Sequence, residues 1–259
     1  MSTQPLLPLD FSRCQRWNKK RDSYRPAGEC FDPRYATVER IDTATAKQFV
    51  CTHHYSGSFP AARFNAGLLI KEPFRKELLA GVATFSVPVT QAVIPALLDG
   101  LDPALGVELG RFALLDSVPA NGETWTLARA FRRLRESLTE VRGIVSYCDP
   151  APRTTADGRI SFGGHVGTIY RAFNGTLRGR SRARKLLLMP DGCVANERGL
   201  SKLRNGESGA DYVERNLRVR GASPRRLGET GTDYVKRLVE EGFLRVFRHP
   251  GNIAFSWTF

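Results

Sequence analysis

Regular alternation of apolar and polar positions begins at "YATVERI", which predicts a strand from Tyr35 to Ile41. In "DTATAKQFVCTHHY" the apolar Ala46, Phe49 and Val50 fall on one face. That spacing predicts a helix with Asp42 or Thr43 as N-cap, stopped in "HHYSGSFP" by Gly57 and Pro60. "FNAGLLI" and "ELLAGVATFSVP" read as two strands joined by a turn near Pro73. "TQAVIPALL" reads as a short helical or loop excursion, and "GVELGRFALLD" as the next strand. Leu127, Phe131, Leu134 and Leu138 recur at spacings of three and four in "ETWTLARAFRRLRESL", which predicts a helix with one apolar face. "GIVSYCDPA" predicts a strand ending at Asp149–Pro150, and "APRTTADGRISFGG" a polar, glycine-containing loop. "VGTIYRAFNG" predicts a short helix closed by Gly175, and "RARKLLLMPDG" a strand and turn.

From about Ala195 to Glu241 the texture changes to short amphipathic helices split by Gly and Pro. The chain then returns to two β-rich runs around "HPGN", a hairpin signal. No internal repeat is visible. The expected architecture is α+β, a mixed and mostly antiparallel sheet flanked by helices. Four segments follow: a basic, poorly ordered arm (1–34), a core (35–194), a helical insertion (195–241) and a C-terminal hairpin completing the core sheet (242–259).

The 259 residues, 41% of them hydrophobic, fit one large domain or one domain with an insertion. A net charge of +13 points to an acidic partner, most simply nucleic acid; the bland alternative is a protein that is merely basic. Cys14, Cys30, Cys51, Cys148 and Cys193 are odd in number, widely spaced and free of any CxxC pair. That pattern argues against a zinc site or a disulfide framework and for a reducing compartment. No apolar run approaches the ~20 residues of a membrane span, and the N-terminus is too short in apolar residues for a signal peptide. The expected setting is the cytoplasm of a bacterium or of a phage-infected host, with no membrane partner.

Several residues carry candidate chemistry, each with a plainer alternative. The strand–loop–helix "LGRFALLDSVPANGETWTLARAFRRL" presents helix N-terminal N–H groups, a common phosphate site. Its loop has one glycine, Gly122; Asn121, Gly122 and Thr124 either bind an anion or cap the helix, and Glu123 would repel a pyrophosphate. Arg111 suits carboxylate or phosphate recognition, or pairs with Glu108 as an ordinary strand arginine. Asp149, at a strand end, is a general base, a ligand or a turn residue. Tyr170 is a proton donor or a core aromatic beside Phe173. His54 and Tyr55 close the first helix; histidine can act as a base or join Asp149 in an iron site, or simply end the helix. His53 and His54 point in different directions and make no ready metal pair. Arg171, Arg178, Arg180, Arg182, Arg184 and Lys185 fall in a stretch without acids, a candidate DNA grip. Lys202, Arg204, Arg218, Arg220, Arg225 and Arg226 form a second, more charge-balanced candidate.

The order of elements resembles that of the GNAT acyltransferases, in which two neighbouring strands splay and acyl-CoA lies between them. Here those strands would be "GVELGRFALLD" and "GIVSYCDPA"; the GNAT signature Arg/Gln-x-x-Gly-x-Gly/Ala is missing from "SVPANGET". "HHYSGSFP", "LAGVATFSVP", "ELGRFALLDSVPANGETW", "IVSYCDP", "HVGTIYRAFNG", "GLSKLRNGESG" and "HPGN" occur in one order that resembles the phage Mom family of DNA-modification proteins. The resemblance spans roughly Tyr35 to Phe259. It implies a GNAT-like fold and addition of a carbamoylmethyl (acetamido) group to N6 of adenine, which shields phage DNA from restriction. It further implies acetyl-CoA as donor, with iron an open alternative. Arg111 matches the family pattern and Thr124 replaces its usual serine. In GNAT enzymes a tyrosine placed like Tyr170 protonates the leaving thiolate. The adenine amine is a poor nucleophile inside a duplex, so the base must be flipped out. A homodimer is one expected assembly. The rival readings are a GNAT acetyltransferase acting on a protein or small amine, and a non-enzymatic DNA-binding protein of the same fold.

Overall fold

A computed structural model describes residues 30–259 and two short antiparallel strands, β1 (Phe11–Arg13) and β2 (Tyr24–Pro26). The rest of the expected basic arm up to residue 29 lies outside the described residues. β3 (Ala36–Arg40) leads into α1 (Thr43–His53), whose first turn is closed by Asp42: its carboxylate accepts the Thr45 N–H at 2.9 Å. β4 (Ala62–Ile70), β5 (Leu78–Ser86), α2 (Val93–Leu97), β6 (Gly106–Leu114), α3 (Gly122–Ser137) and β7 (Gly143–Cys148) follow. Next come β8 (Arg153–Thr154), β9 (Ile160–Phe162), α4 (Thr168–Ala172), β10 (Thr176–Arg180) and β11 (Arg184–Leu188). α5 (Glu197–Asn205), α6 (Ala210–Val219), α7 (Gly231–Glu240), β12 (Arg245–His249) and β13 (Ile253–Thr258) complete the chain.

Seven strands form one sheet in the order β10-β13-β7-β6-β5-β4-β3. Every neighbouring pair is antiparallel except β6 and β7, which run parallel. Alternate side chains of β5 divide the two faces. Ala83 and Phe85 join Leu127, Phe131 and Leu134 of α3 in the larger core, while Val82 packs with Ala46, Phe49 and Val50 of α1. Phe131 stands edge-on to Phe85, Phe173 and Trp257, with centroids 5.7, 5.0 and 5.3 Å away.

The chain divides into two compact units. The first takes the chain up to Asp149, His165–Arg180 and Asn252–Phe259, and holds the seven-stranded sheet. The second, Pro150–Gly164 and Ser181–Gly251, has the β8–β9 and β11–β12 ribbons and packs α5, α6 and α7 around Leu200, Leu203, Tyr234 and Leu238.

The C-terminal hairpin is not formed. β12 pairs with β11, whereas β13 inserts between β7 and β10. "HPGN" joins two different sheets. Buried His249 accepts the Gly251 N–H on Nδ1 at 3.0 Å, and Gly251 (φ 96°) passes so near the Ser181 carbonyl that a Cβ would lie 1.9 Å from it. A turn signal records a change of direction and carries no information on which strands pair. The expected segments 35–194 and 242–259 therefore each contribute to both units. β8 and β9 arise where the sequence reads as a loop, because strands of two and three residues are too short to show a period, and β10 follows Gly175 with side chains that are mostly polar and exposed.

Candidate active site

The sheet opens between β6 and β7. Their parallel ladder comprises Gly106↔Gly143, Val107↔Ile144 and Glu108↔Val145, and ends there. At the same level β6 carries a bulge: Thr84 pairs with Arg111 and Phe85 with Leu109, which leaves Gly110 as the extra residue. A Cβ on Gly110 would lie 2.4 Å from Ser86 Oγ. The bulge reverses the alternation of β6, so Leu109 stays in the α3-side core while Arg111 shares the α1-side face with Ala113.

Where the ladder ends, side chains take over. Ser146 Oγ donates to the Leu109 carbonyl at 3.0 Å and so bridges β7 to β6. Ser146 also faces the Tyr170 hydroxyl of α4, where its hydrogen bonding favours the phenolate. Tyr170 is held edge-on by Phe255 and Trp257, each with its centroid 5.6 Å away. Burial drives its phenol well above the ordinary value, the Ser146 bond opposing and the nearby Cys148, Tyr55 and Glu108 adding to the rise. Cys148 is wholly buried, and burial lifts its thiol to about 12.

On the α1-side face, His54 is the C-cap of α1: its N–H bonds the Val50 carbonyl. Its Nδ1 accepts the Ser56 N–H at 3.2 Å and lies 2.8 Å from Ser56 Oγ, which places the ring proton on Nε2. The ring keeps part of its surface open, yet crowding protein atoms, with the charges of Arg111 and His165, hold its pKa down to about 3. His54 is thus a neutral imidazole that offers an N–H, with Nδ1 already engaged. Tyr55 lies between the rings of His54 (4.3 Å) and His165 (6.0 Å). The His165 backbone N–H donates to the Asp149 carbonyl at 2.8 Å, and burial lowers the His165 pKa against the pull of the Asp149 charge. Glu108 is raised by burial, with Arg111 opposing, and Tyr147 is raised by burial and by Glu108.

Arg111 does not pair with Glu108. Its Nε donates to the Ser58 carbonyl and its Nη2 to Ser58 Oγ, both at 2.9 Å, and its Nη1 donates to Gly110. It fastens the loop after α1 to the bulged strand. At the start of α3, Asn121 (φ 70°) is the N-cap and makes no side-chain cap bond. Thr124 does not cap: its hydroxyl donates to the Asn121 carbonyl at 3.3 Å, inside the first turn. The Gly122 N–H donates to Pro119 at 3.2 Å, and a Cβ on Gly122 would lie 2.4 Å from Val118 Cγ1. Packing against Val118 accounts for the lone glycine of this loop.

The six-residue basic run is divided. Arg171, Arg178 and Arg180 belong to the first unit, and Arg182, Arg184 and Lys185 to the second. Arg178 leaves the set of free cations, because it grips Asp99 through two bonds of 3.1 and 3.0 Å and donates from Nε to Ser256 at 2.8 Å. The others are exposed. In the second candidate surface Arg204, Arg220 and Arg225 pair with Glu197, Asp191 and Glu214, while Arg218 and Arg226 are exposed. Among the described residues no three His, Cys, Asp or Glu side chains gather as a metal site. No helix of the described residues is long and apolar enough to cross a membrane.

His165, Ser146, Glu108 and Gly110 escaped the sequence reading. Two signals were present: a serine inside the apolar run "GIVSYC", and a histidine flanked by glycines in "GGHVG". The Mom protein family model matches residues 35–230. The chain belongs to the Mom family. A search of curated proteins found no match. The matched span of this Mom protein contains the whole site from His54 to Tyr170 and all of β6, β7 and α4. With the family comes the coarse function, a phage DNA-modification protein.

Proposed function

We propose that this protein is a GNAT-like transferase that modifies N6 of adenine in DNA with acetyl-CoA as the donor; direct acyl transfer yields N6-acetyladenine, and a carbamoylmethyl product requires in addition an amine donor for the amide and a two-electron oxidant for the C–N bond at the methyl carbon. The observation that carries the reading is buried Tyr170 facing Ser146, which donates to the Leu109 carbonyl, at the opening of the one parallel pair among the described strands of the main sheet. Strands that part after three paired residues leave ladder groups for an extended amide-bearing arm, which fits a pantetheine. The start of α3 fits a pyrophosphate less well, since the Gly122 N–H is already taken by Pro119. When bound, the thioester supplies an activated acyl group and a thiolate leaving group.

The residues then divide the work by their protonation. Tyr170 keeps its proton at neutral pH and is the acid for a departing thiolate; the desolvation that raises the phenol also raises the basicity of a thiolate beside it. Asp149 directly follows β7 and is the base that removes the proton of the adenine amine. His54, neutral with its proton on Nε2, donates a hydrogen bond to the substrate. Arg111 is a positioning residue, because its donors hold the Ser58 loop on which the His54 geometry depends. The exposed arginines around Arg171 and Arg180 neutralise DNA phosphates.

The test is mass spectrometry of nucleosides from DNA of cells producing the protein. A mass-shifted deoxyadenosine that vanishes with Asp149→Ala and Tyr170→Phe supports the reading. Its mass separates carbamoylmethyl from acetyl. Unmodified adenine at good expression overturns it.

A further inference from the structure

In the second unit, α6 and α7 are joined by "GASPRRLGET", residues 221–230, and this loop is tied down along its length. Arg237 of α7, itself 9% exposed, reaches into it with every donor of its guanidinium group engaged. Nε and Nη2 donate to the two Glu229 oxygens at 2.7 and 2.8 Å, and Nη2 also to the Pro224 carbonyl at 2.9 Å. Nη1 donates to Ser223 Oγ at 2.6 Å and to Glu241 Oε1 at 2.7 Å. The Tyr234 hydroxyl donates to the Ser223 carbonyl at 2.8 Å, and the Arg226 N–H to Glu229 at 2.9 Å. Buried Ala222 anchors one end, and Thr230 caps α7 at the other.

At the tip of this fixed loop Leu227 stands wholly in water, 107% exposed, beside Gly228 (φ 74°). A leucine there adds nothing to the core. It is preceded by Arg225 and Arg226, and the neighbouring carboxylates are already matched: Glu229 and Glu241 by Arg237, Glu214 by Arg225 at 3.7 Å. The tip is therefore an apolar prong beside one unmatched cation, Arg226, with no unmatched acid among these neighbours. A protein groove that accepted Leu227 would have to desolvate Arg226 as well; a polyanion pairs with it. Rigidity matters for the same reason, since a prong that is already ordered loses little conformational freedom on insertion.

We propose that Leu227 is a wedge that enters a base step of duplex DNA from the minor groove, with Arg226 on a flanking phosphate. Apolar side chains inserted this way partly unstack the step and kink the duplex. An enzyme that acts on the adenine amine needs the base out of the stack, and a wedge lowers the cost of extruding it. The inference rests on the DNA-modification reading above and adds the residue that opens the duplex.

The test uses the full-length protein and mixed-sequence duplexes carrying 2-aminopurine, whose fluorescence rises on unstacking. Wild type raises the fluorescence on binding. Leu227→Ser abolishes the rise and weakens binding about tenfold, the scale expected for losing one buried leucine side chain, with no change in melting temperature. Leu227→Phe restores the rise. Arg226→Ala reduces the slope of log affinity against log salt by about one. Wild type that binds without a fluorescence change, or Leu227→Ser that behaves as wild type, overturns the wedge and leaves the DNA-modification reading standing. Wild type that does not bind duplex DNA overturns both. Binding of Leu227 to a protein groove with no response to DNA likewise rejects the wedge.

Discussion

Tyr170→Phe separates catalysis from folding at one hydroxyl. The substitution keeps the ring, so the edge contacts to Phe255 and Trp257 remain. It removes one donor, while Ser146 still donates to the Leu109 carbonyl. One net hydrogen bond corresponds to about 1 kcal/mol, and for a chain of this size that lowers Tm by roughly 2–4 °C. Losing a proton donor in the transition state lowers the rate by roughly 10²–10⁴. Stability and turnover should therefore part widely, as read by a thermal melt and by a time course of modified deoxyadenosine. Ser146→Ala supplies the internal control. It removes the donor to the Leu109 carbonyl, at a cost of about 1–3 kcal/mol, so it should destabilise at least as much as Tyr170→Phe. Modification within threefold of wild type in Tyr170→Phe would refute the acid assignment. A larger Tm loss in Tyr170→Phe than in Ser146→Ala would refute the weight given to the Ser146–Leu109 bond.

Phe131→Ala removes the ring shared by Phe85, Phe173 and Trp257 and should cost about 3–5 kcal/mol in denaturant unfolding; a loss under 1 kcal/mol would deny its place in the core. Gly167→Ala is expected to lower Tm sharply, since at φ 75° a Cβ would lie 2.5 Å from Phe255 and 2.7 Å from Cys148 Sγ. His54, near 6.5 in the unfolded chain and held to about 3 in the fold, gives stability that is present above pH 6.5 and falls as pH drops toward 3. Urea titrations of His54→Gln should show a flatter acid limb than wild type, and an unchanged limb would contradict the neutral assignment. Cys148 and Tyr170 are raised, so their contribution holds below their ordinary values and is lost as pH climbs above 9 to 10. Melts of Cys148→Ala and Tyr170→Phe should each show a shallower alkaline decline.

The strands and helices around the site were legible because their signals are local. Asp42 announces its own helix, and Leu127, Phe131 and Leu134 mark the buried face of α3 wherever that face is packed. The strand that precedes Asp149 and the helix of Tyr170 follow from the same kind of pattern. The sequence motifs also sufficed for the family. Other features depend on which distant segments meet. "HPGN" fits a hairpin in any context, and only the packing of the sheet sends β12 to β11 and β13 between β7 and β10. Gly110 is one more strand residue until β5 pairs across it and turns Arg111 to the α1-side face, where it binds Ser58. Ser146 bonds the Leu109 carbonyl through its side chain because the β6–β7 ladder stops one residue earlier. Periodicity determined the elements of this protein. The pairing of strands far apart in sequence, and the burial it imposes on His54, Cys148 and Tyr170, decided its chemistry, since desolvation and hydrogen-bond partners exist only once those strands have met.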